Sequence, residues 1–398
     1  MKTIAGVGKS ISASPELAGK EAAELACAPL AGAAPDFCLV FGTSGYDQSE
    51  LLRGVRSVTG DARLSGCSGE GIIAAADSDE RDRAVGVIAI RSRTLRFETF
   101  LIREYSSDPG RCGRELGRQV MAGDTSDALA LLVFPDGLVG NCTDLLRALE
   151  AAIAPGIPIV GGSAGDAMVF ERTWQFQDGD SASDSVAAVL VRGRGEVAIQ
   201  VSHGCQTVGL QRLVTNAGGG WLRSIDGKPA WSVFREYLDG DPEDLNAEGI
   251  AHLSLAAELD PDAKEEYGSL IVRTPLQLDR ESGALFFPGG GIATGTPVWI
   301  ARRDSLRVRE SARACAARIA NHRRGERPAF VLQFDCAGRG RIMFGSRAAE
   351  EIVRPLQEEI GTSTPWLGFH TYGEIAPIKG RSYYHNYTVV LCAFFDNE

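Results

Sequence analysis

No run in this chain approaches the ~18 apolar residues of a membrane-spanning helix, so bilayer insertion is not expected. Met1 to Ile11 holds one early lysine and no apolar h-region, which argues against a secretory signal and for a cytoplasmic protein. The nine cysteines include no C-x-x-C pair. Their odd, scattered count excludes a disulfide framework and the usual zinc-site spacing, and it suits reduced, buried thiols. Positive charge is also in short supply: the net charge of −11 argues against nucleic acid, whose phosphates need a cationic face. Histidine is scarcer still, with five in 398 residues.

What is present is a soluble globular composition, 44% apolar and 23% charged, in a chain long enough for two cores. The expected class is α/β, with mixed sheets, flanking helices and two domains, at 1–218 and 219–398. Ser14 and Pro15 open a helix over 14–30. After it come a buried strand (Phe37 to Gly42), a helix from Gln48, a Gly-rich strand (Leu64 to Ile73) and two more strands. The order of strand, turn, helix, Gly-rich strand and strand predicts repeat copies at about 37–103 and 128–202, and a third at about 329–394. Residues 208–324 fit that scheme less well, and Gly218 to Gly220 is read as the domain boundary. The acidic stretch Asp239 to Gly249 is expected to be a loop. It is not an EF-hand, since Asp244 replaces the required Gly and Ile250 the bidentate Glu. A helix following Asp304 carries Arg307, Arg313, Arg318, Arg323 and Arg324 outward, as a solvated face or a dock for an acidic partner.

One stretch stands out in each copy: GCSGEG at 66–71, GGSAGD at 161–166 and GFHTYGEIAP at 368–377. Each ends a small or polar run in Gly and an acid, namely Glu70, Asp166 and Glu374. With DGKPAWSVFREYL at 226–238, FDCAGRG at 334–340 and HNYT at 385–388, the series resembles the FIST family across nearly the whole chain. The resemblance implies FIST N-terminal and C-terminal domains in a stand-alone sensory protein for small, amino-acid-like ligands. It also implies signalling in trans to a histidine kinase or a cyclic-di-nucleotide enzyme. A subset of the family binds haem and reports nitric oxide, which makes haem the alternative cofactor. One departure is Ala251-His252-Leu253-Ser254, where the family commonly has His-Pro-Leu.

The residues themselves suggest a zwitterion site. Gly-rich strand ends expose N–H groups and allow close approach. Glu374 and Asp166 suit an ammonium, and Arg339 a carboxylate. Tyr372, Ser163, Ser68 and Asn386 are candidate hydrogen-bond partners, with Glu70 as a further acid. The competing reading of each Gly-acid pair is a turn whose acid caps the next segment. Cys67 and Cys336 are buried thiols or, with a lowered pKa, nucleophiles. His203, His252, His370 and His385 are structural or axial ligands to a non-covalent haem. Neither a Ser-His-Asp set nor a metal cluster is readable, so no enzymatic turnover is expected.

Overall fold

The computed structural model describes residues 3–238, 253–259 and 270–397. The acidic loop, the rejected EF-hand reading and His252 lie outside the described residues. Among the described residues no helix is long and apolar enough to cross a membrane. The chain is mixed α/β, with mixed sheets flanked by helices.

Three six-stranded sheets share one plan. The first runs Ile4–Ser10, Val85–Arg91, Phe37–Thr43, Arg63–Gly69, Gln175–Gln177, Asp180–Ala182. The second runs Leu95–Arg103, Ser185–Gly193, Ala128–Pro135, Ile159–Ser163, Gly373–Ile378, Arg381–His385. The third runs Gly195–His203, Thr388–Asp396, Phe330–Cys336, Trp366–Thr371, Gly71–Ala74, Asp77–Asp79. In each, only the third and fourth strands are parallel. The last two strands of every sheet are a hairpin lent by another copy, in a closed cycle.

This arrangement corrects the expected copy limits. Leu95–Arg103 does not close the first copy but opens the second sheet, and Gly195–His203 opens the third. Gly218 to Gly220 is no boundary either. It turns a hairpin between Cys205–Gly218 and Trp221–Ile225 in a fourth, eight-stranded sheet, which interrupts the third copy.

Helices Pro15–Cys27, Pro109–Val120 and Ser305–Ala320 follow the first strand of each copy, the last after the inserted sheet, and each is N-capped by an acceptor side chain (Ser14, Asp108, Asp304). Along the last of these, Arg318 bonds Gln200 and Arg323 pairs with Glu196, while Arg307, Arg313 and Arg324 stay exposed. The sheets face one another across a common core. At its centre Phe41, Phe134 and Phe334, one from each parallel pair, meet edge-on with centroids 5.5, 5.9 and 6.4 Å apart.

One glycine per sheet permits the parallel pairs to close. Gly66, Gly161 and Gly368 lie opposite Val40, Val133 and Gln333, and a Cβ would stand 1.8, 2.1 and 2.0 Å from those residues' carbonyl oxygens. Gly66 is also held at φ +144°, where an L side chain is strained. Gly66→Ala is therefore expected to cost about 3 kcal/mol through overpacking and strain. The urea midpoint measures it; an unchanged midpoint refutes the close approach.

Candidate functional site

The ends of the parallel strands meet the inserted sheet around a small cavity of about 30 Å³. Tyr372, Thr371, Asn386 and Cys336 line it from the third copy, Thr274, Leu276 and Pro288 from the inserted sheet, and Met168 from a strap at 164–174. Most of its polar side chains are already used, although the Thr274 hydroxyl has no partner among the described residues. Asn386 accepts the Thr274 N–H at 3.0 Å and donates to the Tyr372 carbonyl at 2.9 Å. Thr371 donates to Glu374, and Tyr372 donates to Asp166 at 2.7 Å. What faces the hollow is mainly carbon.

The strap is fixed by two acids. Asp166 accepts the N–H groups of Phe170 (3.1 Å), Glu171 (2.7 Å) and Arg172 (3.0 Å), so its carboxylate organises a turn. Met168 donates its N–H to Glu70 Oε2 at 2.7 Å and to the Tyr372 hydroxyl oxygen at 2.8 Å. Burial, with the charges of Glu80 and Asp166, pushes Glu70 up to about 8 against the hydrogen bonds from Tyr372 and Met168. The single Tyr372 proton lies between two carboxyls, with Asp166 at 2.7 Å and Glu70 at 3.1 Å. Within the strap Ala167, Met168 and Phe170 sit at φ 60°, 57° and 59°, a left-handed run without glycine. Such conformations cost of order 1–3 kcal/mol each and persist where surrounding contacts enforce them.

Across the strap from the cavity lies an open cleft of about 990 Å³. Ser44, Gly45, Arg81, Asp82 and Arg83 of the first copy, Asp166 to Trp174 in part of the second, and Arg341 of the third form its walls. Arg81 is tied to Asp79. Among the described residues no carboxylate pairs with Arg172 or Arg341, and Asp82 and Glu171 have no cationic partner. Ala167 and Val169 face this cleft, whereas Met168, between them, faces the cavity.

The three acids do not converge as equivalents. Glu70, Asp166 and Glu374 stand four, five and six residues beyond Gly66, Gly161 and Gly368. Glu70 links two strands, Asp166 starts the strap, and Glu374 lies inside a hairpin strand opposite Gly162. Glu374 is wholly buried and accepts from Thr371 and from the N–H and hydroxyl of Thr388; burial pushes it up to about 8. It lines neither the cavity nor the cleft. Arg339 is equally buried and gives Nε to Asp335 at 2.7 Å, so it does not reach the cleft with Asp166. The zwitterion set of Glu374, Asp166 and Arg339 is therefore dispersed.

Ser68 and Ser163 are buried strand residues that donate to the carbonyls of Gly165 (2.7 Å) and Gly373 (3.3 Å). Cys67 lies in the central core, where burial pushes its thiol well above the ordinary range. Cys336 lines the cavity, but burial, with the Glu374 charge, raises it strongly as well. Its position explains why. Three residues beyond Val40, Val133 and Gln333 stand Thr43, Asp136 and Cys336. Thr43 holds Ala84, Asp136 accepts from Leu138 and Asp184, and Cys336 accepts from the backbone at Gly338 and Tyr387. The thiol serves here as a loop tie.

No described histidine lines the cavity or the cleft. His203 accepts the Cys205 N–H on Nδ1 at 3.0 Å and is lowered to about 4 by burial and then by Arg339. His385 donates Nε2–H to the Ala376 carbonyl at 3.2 Å and is lowered to about 3 by burial and then Arg273. His370 Nε2 meets Ser78 Oγ at 2.8 Å. None of them presents a nitrogen to the cavity or the cleft, so neither hollow fits haem. Sequence reasoning missed Met168, Thr371, Arg172 and Arg341; Thr371 alone sits in a quoted motif, GFHTYGEIAP at 368–377, and only the strap's path brings Met168 and Arg172 to the site.

Comparison with known proteins gives the family. A FIST N domain model matches residues 36–228 and a FIST C domain model residues 230–377, meeting inside the inserted sheet. An uncharacterised protein of Mycobacterium tuberculosis (strain H37Rv) is 29% identical over 405 residues, covering 98% of this chain and 99% of its own length. One of Mycobacterium bovis is 29% identical over 406 residues with the same coverage. A solved structure, cyanuric acid hydrolase from A. caulinodans, aligns over the full length of both chains at 10% identity and a TM-score of 0.36.

Proposed function

The chain belongs to the FIST family, whose domains are associated with sensory signalling, and on that premise we propose that it is a cytoplasmic sensor of a small amino-acid-like ligand. It binds without turnover and signals in trans to a partner such as a histidine kinase or a cyclic-di-nucleotide enzyme. The observation that carries the ligand reading is the mixed-charge cleft of about 990 Å³ to which all three copies contribute. Arg172 and Arg341 supply guanidinium groups for a carboxylate, and Asp82 and Glu171 supply acids for an ammonium. This moves the ligand contacts from Glu374 and Arg339 to the strap and its facing walls. A ligand seated against Asp166 to Arg172 alters the strap's balance, and that shift is what a partner reads.

A thermal-shift screen of amino acids and small carboxylates tests the reading. At least one amino acid is expected to raise the melting temperature, and Arg172→Ala with Arg341→Ala to weaken its binding tenfold or more. Silence across the panel refutes the cleft. The haem alternative finds no fitting histidine at the cavity or the cleft.

A further inference from the structure

The two hollows on either side of the strap differ in chemistry, and that difference specifies a ligand. Resting on the cleft reading above, we infer that the cavity beneath the strap is the side-chain subsite of the ligand, that it selects an apolar side chain, and that Met168 occupies it as a plug in the free protein.

The argument starts from Met168. Its neighbours Ala167 and Val169 face the cleft, so the strap is one residue thick between the two volumes. Met168 packs on Leu138, Ala337 and Tyr372, with Leu276 beside them. The cavity left beyond it, about 30 Å³, is too small for a ligand side chain. Removing the methionine side chain from that wall enlarges it to the size of a leucine or methionine group. Methionine suits a displaceable plug because its unbranched, flexible thioether re-packs readily.

The cavity also excludes charged groups. The hydroxyls of Thr371 and Tyr372, the amide of Asn386 and the thiol of Cys336 are committed to protein partners. The Thr274 hydroxyl on the same wall has no partner among the described residues, so a hydroxyl finds that one contact, whereas a charged side chain finds no counter-ion and is left desolvated. Exchanging one apolar group for another keeps the burial constant, so head-group contacts in the cleft decide occupancy. The left-handed run at Ala167, Met168 and Phe170 makes the exchange feasible, because the strap is held there by Asp166, Glu70 and Tyr372 against its own preference.

The test uses the full chain. With four methionines, one of them the initiator, the Met168 methyl is readily assigned in methyl-labelled protein by its loss in Met168→Ala. Leucine is expected to shift the Met168 methyl resonance, while glycine binds without moving it. Met168→Ala is expected to raise the leucine-to-glycine affinity ratio about tenfold. Isobutanol, which has an apolar branch and no zwitterionic head, probes the subsite alone and is expected to move the same methyl at millimolar concentration. If leucine and glycine both bind and neither moves it, the subsite is refuted while the cleft stands. If no amino acid binds but isobutanol moves the methyl, the cleft reading fails and the apolar subsite stands. Aspartate binding as tightly as leucine overturns the selectivity.

Discussion

Asp335→Ala is expected to destabilise the protein by about 3–5 kcal/mol, the cost of leaving a buried charge without its counter-ion. Asp335 and Arg339 are both wholly buried, with Nε to Oδ1 at 2.7 Å. The other Asp335 oxygen accepts from Gln333 at 2.8 Å, and Gln333 in turn takes the Trp366 indole N–H at 2.9 Å. Arg339 is less well provided for. Its two terminal nitrogens, buried, have no partner among the described residues. Asp335 is thus its single carboxylate, and without it the guanidinium keeps its charge, since arginine does not deprotonate in proteins. Arg339→Met is expected to cost less, because Gln333 still bonds the aspartate. The double substitution Asp335→Ala with Arg339→Met should fall nearer the wild type than Asp335→Ala alone. Urea unfolding of the four proteins measures this. A loss below about 1 kcal/mol for Asp335→Ala would show the pair to be solvated and would return Arg339 to ligand binding.

The sequence made parts of this legible for physical reasons and concealed others for equally physical ones. Apolar strands ending in Gly-rich turns are local features, so the strands at Phe37, Ala128 and Phe330 were readable, as was the poor fit of residues 208–324, where the fourth sheet is inserted. Partner choice is not local. Nothing in Leu95–Arg103 shows that it pairs with Ser185–Gly193 rather than with the strand before it, and no residue marks a hairpin as lent to a neighbouring sheet. The Gly-acid echo misled for a related reason: identical letters stood at different stations of the register. Conversely Thr43, Asp136 and Cys336 share one station and one task with three unlike side chains. In the candidate site Asp166, Glu70 and Tyr372 were legible as polar groups near strand ends. Met168 and Arg172 were not, because a strap held by turn bonds and left-handed residues has no periodicity to read.

Stability is expected to stay nearly level from about pH 4.5 to 6.5 and to fall between about 6.5 and 8. Two sets of buried groups oppose one another. Glu70 and Glu374 are raised from 4.5 to about 8, so their contribution is complete below 4.5 and is lost as pH rises towards 8. His203 and His385 are lowered from 6.5 to about 4 and about 3, so theirs is complete above 6.5 and is lost as pH falls. Between 4.5 and 6.5 the native chain keeps two carboxyl protons that the unfolded chain releases, and it lacks two imidazole protons that the unfolded chain binds. The slopes cancel. Above 6.5 the histidines are neutral in both states, and only the carboxyls act, at about 1.4 kcal/mol per pH unit for each group at most. Glu374→Gln should therefore halve the fall, as should Glu70→Gln, while His385→Gln should tilt the level stretch downward from pH 4.5. Urea titrations at pH 5, 6.5 and 8 read all of this, and a wild-type protein that gains stability from 6.5 to 8 contradicts it. The two carboxyls differ in consequence. Loss of the Glu374 proton charges a site bonded to Thr371 and Thr388, whereas loss of the Glu70 proton sets a second carboxylate beside Asp166, with one Tyr372 proton between them. Alkaline pH should therefore loosen the strap first, and Glu70→Gln should hold it in place.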